Sequence, residues 1–107
     1  MTCEDNPTRL TWEIELLEPH SGVWLCRGYG RATTSARPAD IARAVLAGHL
    51  AAQPPRAGET FRVITRPNGG QPFTVTTDQL PADGWEADPD VRDALPLYLR
   101  EALPDAG

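Results

Sequence analysis

At 107 residues, with 40% apolar side chains and three tryptophans, the chain has the size and composition of one folded domain and not of a disordered tail. Its net charge of −5, with every basic residue an arginine, disfavours a protein that works by neutralising phosphates. The apolar runs are too short to cross a bilayer, and residues 1–20 carry five acids, one arginine and no apolar h-region, so no signal peptide is expected.

Residues 1–9 show no periodicity and read as a loose arm. From Thr11 to Leu17, Trp12, Ile14 and Leu16 alternate with Glu13 and Glu15, the period-2 pattern of a half-buried strand. Pro19-His20-Ser21-Gly22 supplies turn chemistry, and Val23 to Arg31 reads as the returning strand. Pairing residues whose numbers sum to 42 sets Trp12, Ile14 and Leu16 against Gly30, Gly28 and Cys26 on one face. On the other face Glu15 meets Arg27, Glu13 meets Tyr29 and Thr11 meets Arg31. A slip of one residue would set Ile14 against Arg27 and mix the faces. In the favoured register two large side chains lie over two glycines, the arrangement in which an aromatic covers bare backbone. Gly28 and Gly30 therefore need no phosphate to explain them.

Thr33, Thr34 and Ser35 offer N-caps, Pro38 suits a first helical turn, and Asp40 complements the positive end of the helix dipole. The helix runs to about Gln53, where Pro54-Pro55 stops it. Ile41, Ala42, Val45, Leu46 and Ala52 share one side of it, with Asp40 and Arg43 opposite. His49 falls on the apolar stripe without an acid or thiol on its face, which predicts a buried imidazole bonded to a backbone carbonyl. Six alanines keep this helix thin, so it can approach a sheet closely.

A second hairpin follows. Phe61, Val63 and Thr65 alternate with Arg62, Ile64 and Arg66; Pro67-Asn68-Gly69-Gly70 turns; Phe73, Val75 and Thr77 return. A sum of 138 pairs Val63 with Val75, Thr65 with Phe73 and Phe61 with Thr77. Residues 78–87 are polar and strand Trp85 in a loop. Asp88-Pro89 opens a last helix, in which Val91, Ala94, Leu95, Tyr98, Leu99, Ala102 and Leu103 form an apolar stripe. Pro96 should kink or split this helix, and Leu97 falls off the stripe toward solvent.

The expected fold class is α+β, a two-layer sandwich in the order ββαββ with a C-terminal amphipathic, Pro-kinked helix. Residues 1–107 are expected to form a single domain: arm 1–9, hairpin 10–31, helix 36–53, hairpin 60–77 and C-terminal helix 88–103. The acid pairs among Asp88, Asp90 and Asp93 sit in a first helical turn, where they favour the dipole and nothing apolar raises their pKa. His20, His49, Cys3 and Cys26 have no zinc-ligand spacing, Ser21 and Ser35 have no base, and Cys26 is expected to be inert on the core face. No catalytic set, cofactor or metal is expected. Two cysteines without a CxxC motif read as free thiols in a reducing, cytoplasmic setting.

The charge is uneven: −4 over residues 1–20, +5 over 21–77 and −6 over 78–107. The basic middle converges on the outer face of the sheet, where Arg27, Tyr29 and Arg31 are expected beside Arg62, Ile64 and Arg66. Glutamates and threonines would solvate that face. Arginine and tyrosine are also the residues enriched at protein interfaces. The expected function is a non-catalytic protein-interaction module, self-associating as a homo-oligomer (a homodimer the simplest) or part of a larger assembly, with no membrane contact. Its candidate partner-binding residues are Arg27, Tyr29, Arg31, Arg62, Ile64, Arg66, Trp85 and Leu97. Two other readings are a nucleic-acid-binding regulator using the arginine face, and a small ligand carrier or enzyme with a pocket near His49.

Overall fold

A computed structural model describes residues 8–80 and 89–103. Four antiparallel strands, β1 (Thr8–Leu17), β2 (Trp24–Thr34), β3 (Phe61–Pro67) and β4 (Phe73–Thr76), form one sheet in the order β2-β1-β3-β4. Between the hairpins runs α1 (Pro38–Ala52); after β4 come a 3₁₀ turn (Thr77–Gln79) and the short helices α2 (Pro89–Asp93) and α3 (Leu97–Ala102). The fold is α+β. Among the described residues no helix is long and apolar enough to cross a membrane.

The period-2 pattern sets the faces. Leu10, Trp12 and Ile14 of β1 and Phe61, Val63 and Thr65 of β3 are buried, as is Val75 of β4, and they meet Ile41, Ala42, Val45 and Leu46 of α1. Thr65 is wholly buried, and its hydroxyl donates to the Pro38 carbonyl (3.3 Å), tying β3 to the start of the helix. The α1 cap differs from expectation. β2 runs on to Thr34, so Thr33 and Thr34 are strand residues; the N-cap is Arg37, without a side-chain bond, and Pro38 opens the first turn. Asp40 holds Arg37 (3.0 Å) and Arg43 (3.3 Å). Ala52, expected on the apolar stripe, is exposed at the helix end.

Pro96 splits the C-terminal helix in two and becomes the N-cap of α3. Val91, Leu95, Leu99 and Leu103 enter the core, and Leu99 lies on Gly48 of α1, where an added Cβ would stand 3.0 Å from the Leu99 carbonyl oxygen. Tyr98, expected on the stripe, faces solvent together with Leu97. The split resets the helical phase after Pro96, so a stripe drawn through one continuous helix misplaces that ring.

α1 lies mainly on β3 and β4 and reaches β1 less, while β2 forms the edge of the sheet, with only Ala32 and Thr34 buried. The second hairpin pairs Val63 with Val75 and Thr65 with Phe73 as the sequence requires. The first pairs Trp12 with Gly30, Ile14 with Gly28, Glu13 with Tyr29 and Thr11 with Arg31. Below Ile14 the register shifts: Glu15 pairs with Cys26 and Leu16 with Leu25, so Arg27 is an extra residue in a β-bulge.

Candidate functional site

The bulge changes the chemistry of both sheet faces. Arg27 and Gly28 together oppose Ile14, and a bulge turns two consecutive residues toward one side. Arg27 accordingly lines a cleft on the helix side with His49 and Phe61. Arg27 therefore does not pair with Glu15 and does not belong to the outer arginine row. Cys26, expected in the core, is instead opposite Glu15 and exposed. A maleimide should label Cys26 in the folded protein at close to the rate of the unfolded chain, as read by peptide mass mapping. Slow labelling restored by urea would show an unbulged strand.

On the outer face two of the arginines, Arg62 and Arg66, hold glutamates. Arg62 reaches Glu15 at 2.6 Å and Arg66 reaches Glu13 at 3.2 Å, both across the β1–β3 pairing. The Arg62 guanidinium also lies 4.1 Å from the ring centroid of Trp24, a residue that the sequence reading passed over. Ile64, expected to be exposed, is buried at 8% relative exposure. It sits on an interior strand with Glu13 and Thr74 as its cross-strand neighbours and Arg62 and Arg66 before and after it. On this face Tyr29 and Arg31 are the candidates that are exposed and in no ion pair among the described residues, with Tyr29 80% exposed. Leu97 is exposed on α3, away from this face; Trp85 lies outside the described residues.

The β2 edge of the sheet, unpaired among the described residues, completes this region. At one end of β1 the Leu17 N–H donates to Thr60 (2.9 Å), and at the other the Arg9 carbonyl accepts from Asn68 (2.8 Å), while the Glu18 N–H turns the other way to Val23 (2.8 Å). Odd residues of β1 thus bond toward β3 and even residues toward β2. Gly28, Gly30 and Ala32, opposite Ile14, Trp12 and Leu10, bond inward. Tyr29, Arg31 and Thr33 therefore aim their main-chain N–H and C=O groups outward, along the edge.

The second feature is the cleft, of about 600 Å³, between the end of α1, the bulge and the loop before β3. Cys26, Arg27, His49, Gln53, Pro54, Arg56, Glu59 and Phe61 line it. His49 is buried as expected, but its imidazole stands edge-on to Phe61 (centroids 5.0 Å apart, 64°) and makes no hydrogen bond among the described residues. Burial, and next the Arg27 charge, hold the His49 pKa below its usual 6.5. The folded state then binds fewer protons than the unfolded chain around that value. Stability should be full above pH 6.5 and fall as pH drops through it toward the lowered folded-state pKa. His49→Gln should flatten that part of a melting-temperature profile; an unchanged slope would assign it to the carboxylates.

Among the described residues no three His, Cys, Asp or Glu side chains gather as a metal site. In comparisons with known proteins, no family model, curated protein or solved structure matched the chain.

Proposed function

We propose that the protein is a non-catalytic interaction module whose docking element is the free edge of β2, and that its partner is a second copy of the chain paired antiparallel about a twofold axis. The observation that carries this reading is the edge itself. β2 is eleven residues long, and from Gly28 it is regular, with the outward-facing Tyr29, Arg31 and Thr33 unpaired among the described residues; only its far end, at Thr33 and Thr34, comes beside Asp90, Asp93 and Ala94. Such edges pair unless short, charged, bulged or covered. The opposite edge is blunted: β4 has four residues, Pro72 precedes it and a 3₁₀ turn ends it. Three of the large apolar side chains left exposed, Val23, Leu25 and Tyr29, also lie on or beside β2.

The edge is complementary to itself. With Gly30 on the twofold axis, Tyr29 of one copy faces Arg31 of the other, so each guanidinium meets a ring face and the two arginines are kept apart. Registers centred on Arg31 would set like charges opposite one another. Sedimentation velocity from micromolar to hundreds of micromolar tests the reading. A mass rising from monomer to dimer is the expected result, and a monomer throughout overturns it. The Glu13–Arg66 and Glu15–Arg62 pairs weigh against nucleic acid as the partner, since they neutralise two of the arginines that a phosphate would need.

A further inference from the structure

We propose that the cleft between the end of α1 and the β2 bulge binds an oxyanion group, a carboxylate or phosphate carried on a small molecule. Four observations converge on it. The first is room: about 600 Å³, within the range of small-molecule sites. The second is the lining, which brings together two guanidiniums (Arg27 and Arg56), the His49 imidazole and the Gln53 amide, against a single carboxylate, Glu59. That carboxylate is engaged in its own loop, where its Oε1 accepts from the Arg56 N–H at 2.8 Å.

The third is the state of the two arginines. Arg37, Arg43, Arg62 and Arg66 each hold an acid, whereas Arg27 and Arg56 form no ion pair among the described residues. Guanidinium forks are suited to two-oxygen recognition of carboxylate and phosphate. The fourth is the bulge, which aims Arg27 into the cleft when an unbroken ladder would have left it on the outer face. Bulges of this kind commonly re-aim one side chain beside a functional site. The carbonyl of His49 at the cleft is already bonded by the Gln53 N–H at 2.8 Å, so it is not a free acceptor confronting an anion.

The groups facing His49 are Arg27 from β2, Phe61 from β3, and Gln53, Arg56 and Glu59 from the end of α1 and the following loop. An oxyanion seated between the guanidiniums offsets the Arg27 charge and raises the His49 pKa. The experiment follows the His49 ring resonances by NMR through a pH titration, with inorganic phosphate or citrate added at constant ionic strength and chloride as the control. The expected result is a saturable upward shift at millimolar phosphate or citrate and none with chloride. Phosphate alone acting assigns a phosphate ester, citrate alone a carboxylate. Arg56→Gln and Arg27→Gln should each weaken binding roughly tenfold, the scale of one charge-assisted hydrogen bond, while Arg43→Gln on α1 leaves it unchanged. Deleting residue 27 restores a regular ladder and gives a second test should Arg27→Gln fold poorly; the anion response should vanish with it. No saturable shift with either anion, or a shift that survives in both Arg27→Gln and Arg56→Gln, overturns the site. None of these outcomes depends on the β2 edge, whose test is molecular mass.

Discussion

Gly30→Ala should destabilise the protein by about 3 kcal/mol, although a glycine-to-alanine change in a strand ordinarily stabilises. Gly30 does not have a positive φ, so its backbone accepts a side chain. The obstacle is Trp12. A Cβ on Gly30 would stand 2.4 Å from Trp12 Cζ2 and 2.7 Å from Cε2, closer than any real contact. The ring cannot step aside freely, because Trp12 is 2% exposed and belongs to the core cluster. Its indole N–H makes no hydrogen bond among the described residues, so packing on bare backbone and not a polar anchor fixes the ring. Gly28→Ala is the control: its Cβ would meet Ile14 Cδ1 at 3.5 Å, an ordinary contact, and the change should be neutral or stabilising. In a Trp12→Leu background, itself costly, Gly30→Ala should lose most of its penalty. Urea unfolding followed by circular dichroism measures the four corners of this cycle. Equal effects of Gly30→Ala with and without Trp12 would show that the contact does not govern the site.

That clamp was legible because aromatic-over-glycine pairing follows from a register sum, and the sum was fixed by alternation from Thr11 to Ile14. Alternation fails just beyond. Val23-Trp24-Leu25-Cys26 is apolar on both faces, so the pattern is indifferent to a slip, and a bulge there costs nothing that the sequence displays. The bulge therefore puts Arg27 and Cys26 on faces other than those alternation implies, and nothing in the pattern marks Trp24. Strand order hid a second set of facts. Glu13 does lie opposite Tyr29, whereas Glu15 lies opposite Cys26 and not Arg27. β1 in fact lies between β2 and β3, and both acids turn to Arg66 and Arg62. The signal was present in the matched spacing of two acids and two arginines along antiparallel strands. The same interior position of β3 buries Ile64. The cleft was the least legible feature, since it joins residues 26–27 to 49–61 through a bulge; His49 alone marked it.

Arg31→Pro should abolish self-association while leaving the monomer folded, and Gly30→Pro, one residue away, should unfold the hairpin. The contrast follows from where each N–H points. Arg31 lies opposite Thr11, an odd residue of β1 whose own bonds run to β3, so its N–H faces the open edge and takes no part in the ladder. Proline is tolerated at such edge positions and removes one donor in each copy. Gly30 lies opposite Trp12 and bonds inward, so proline there breaks the ladder and also meets the Trp12 ring. In the dimer, Arg31→Pro deletes a donor and a ring-facing guanidinium at each of two symmetry-related places. At about 1 kcal/mol for each lost interaction, the sum approaches 4 kcal/mol, or a weakening of the dimer of the order of a thousandfold. Tyr29→Ala keeps the main-chain donor and loses only the stacking, at both symmetry-related places, so it should weaken the dimer by roughly thirtyfold. Sedimentation velocity gives the mass and circular dichroism the fold of each variant. A dimer that survives Arg31→Pro in a folded protein would move the contact off the β2 edge, with the exposed Leu97 and Tyr98 of α3 as the surface to mutate next.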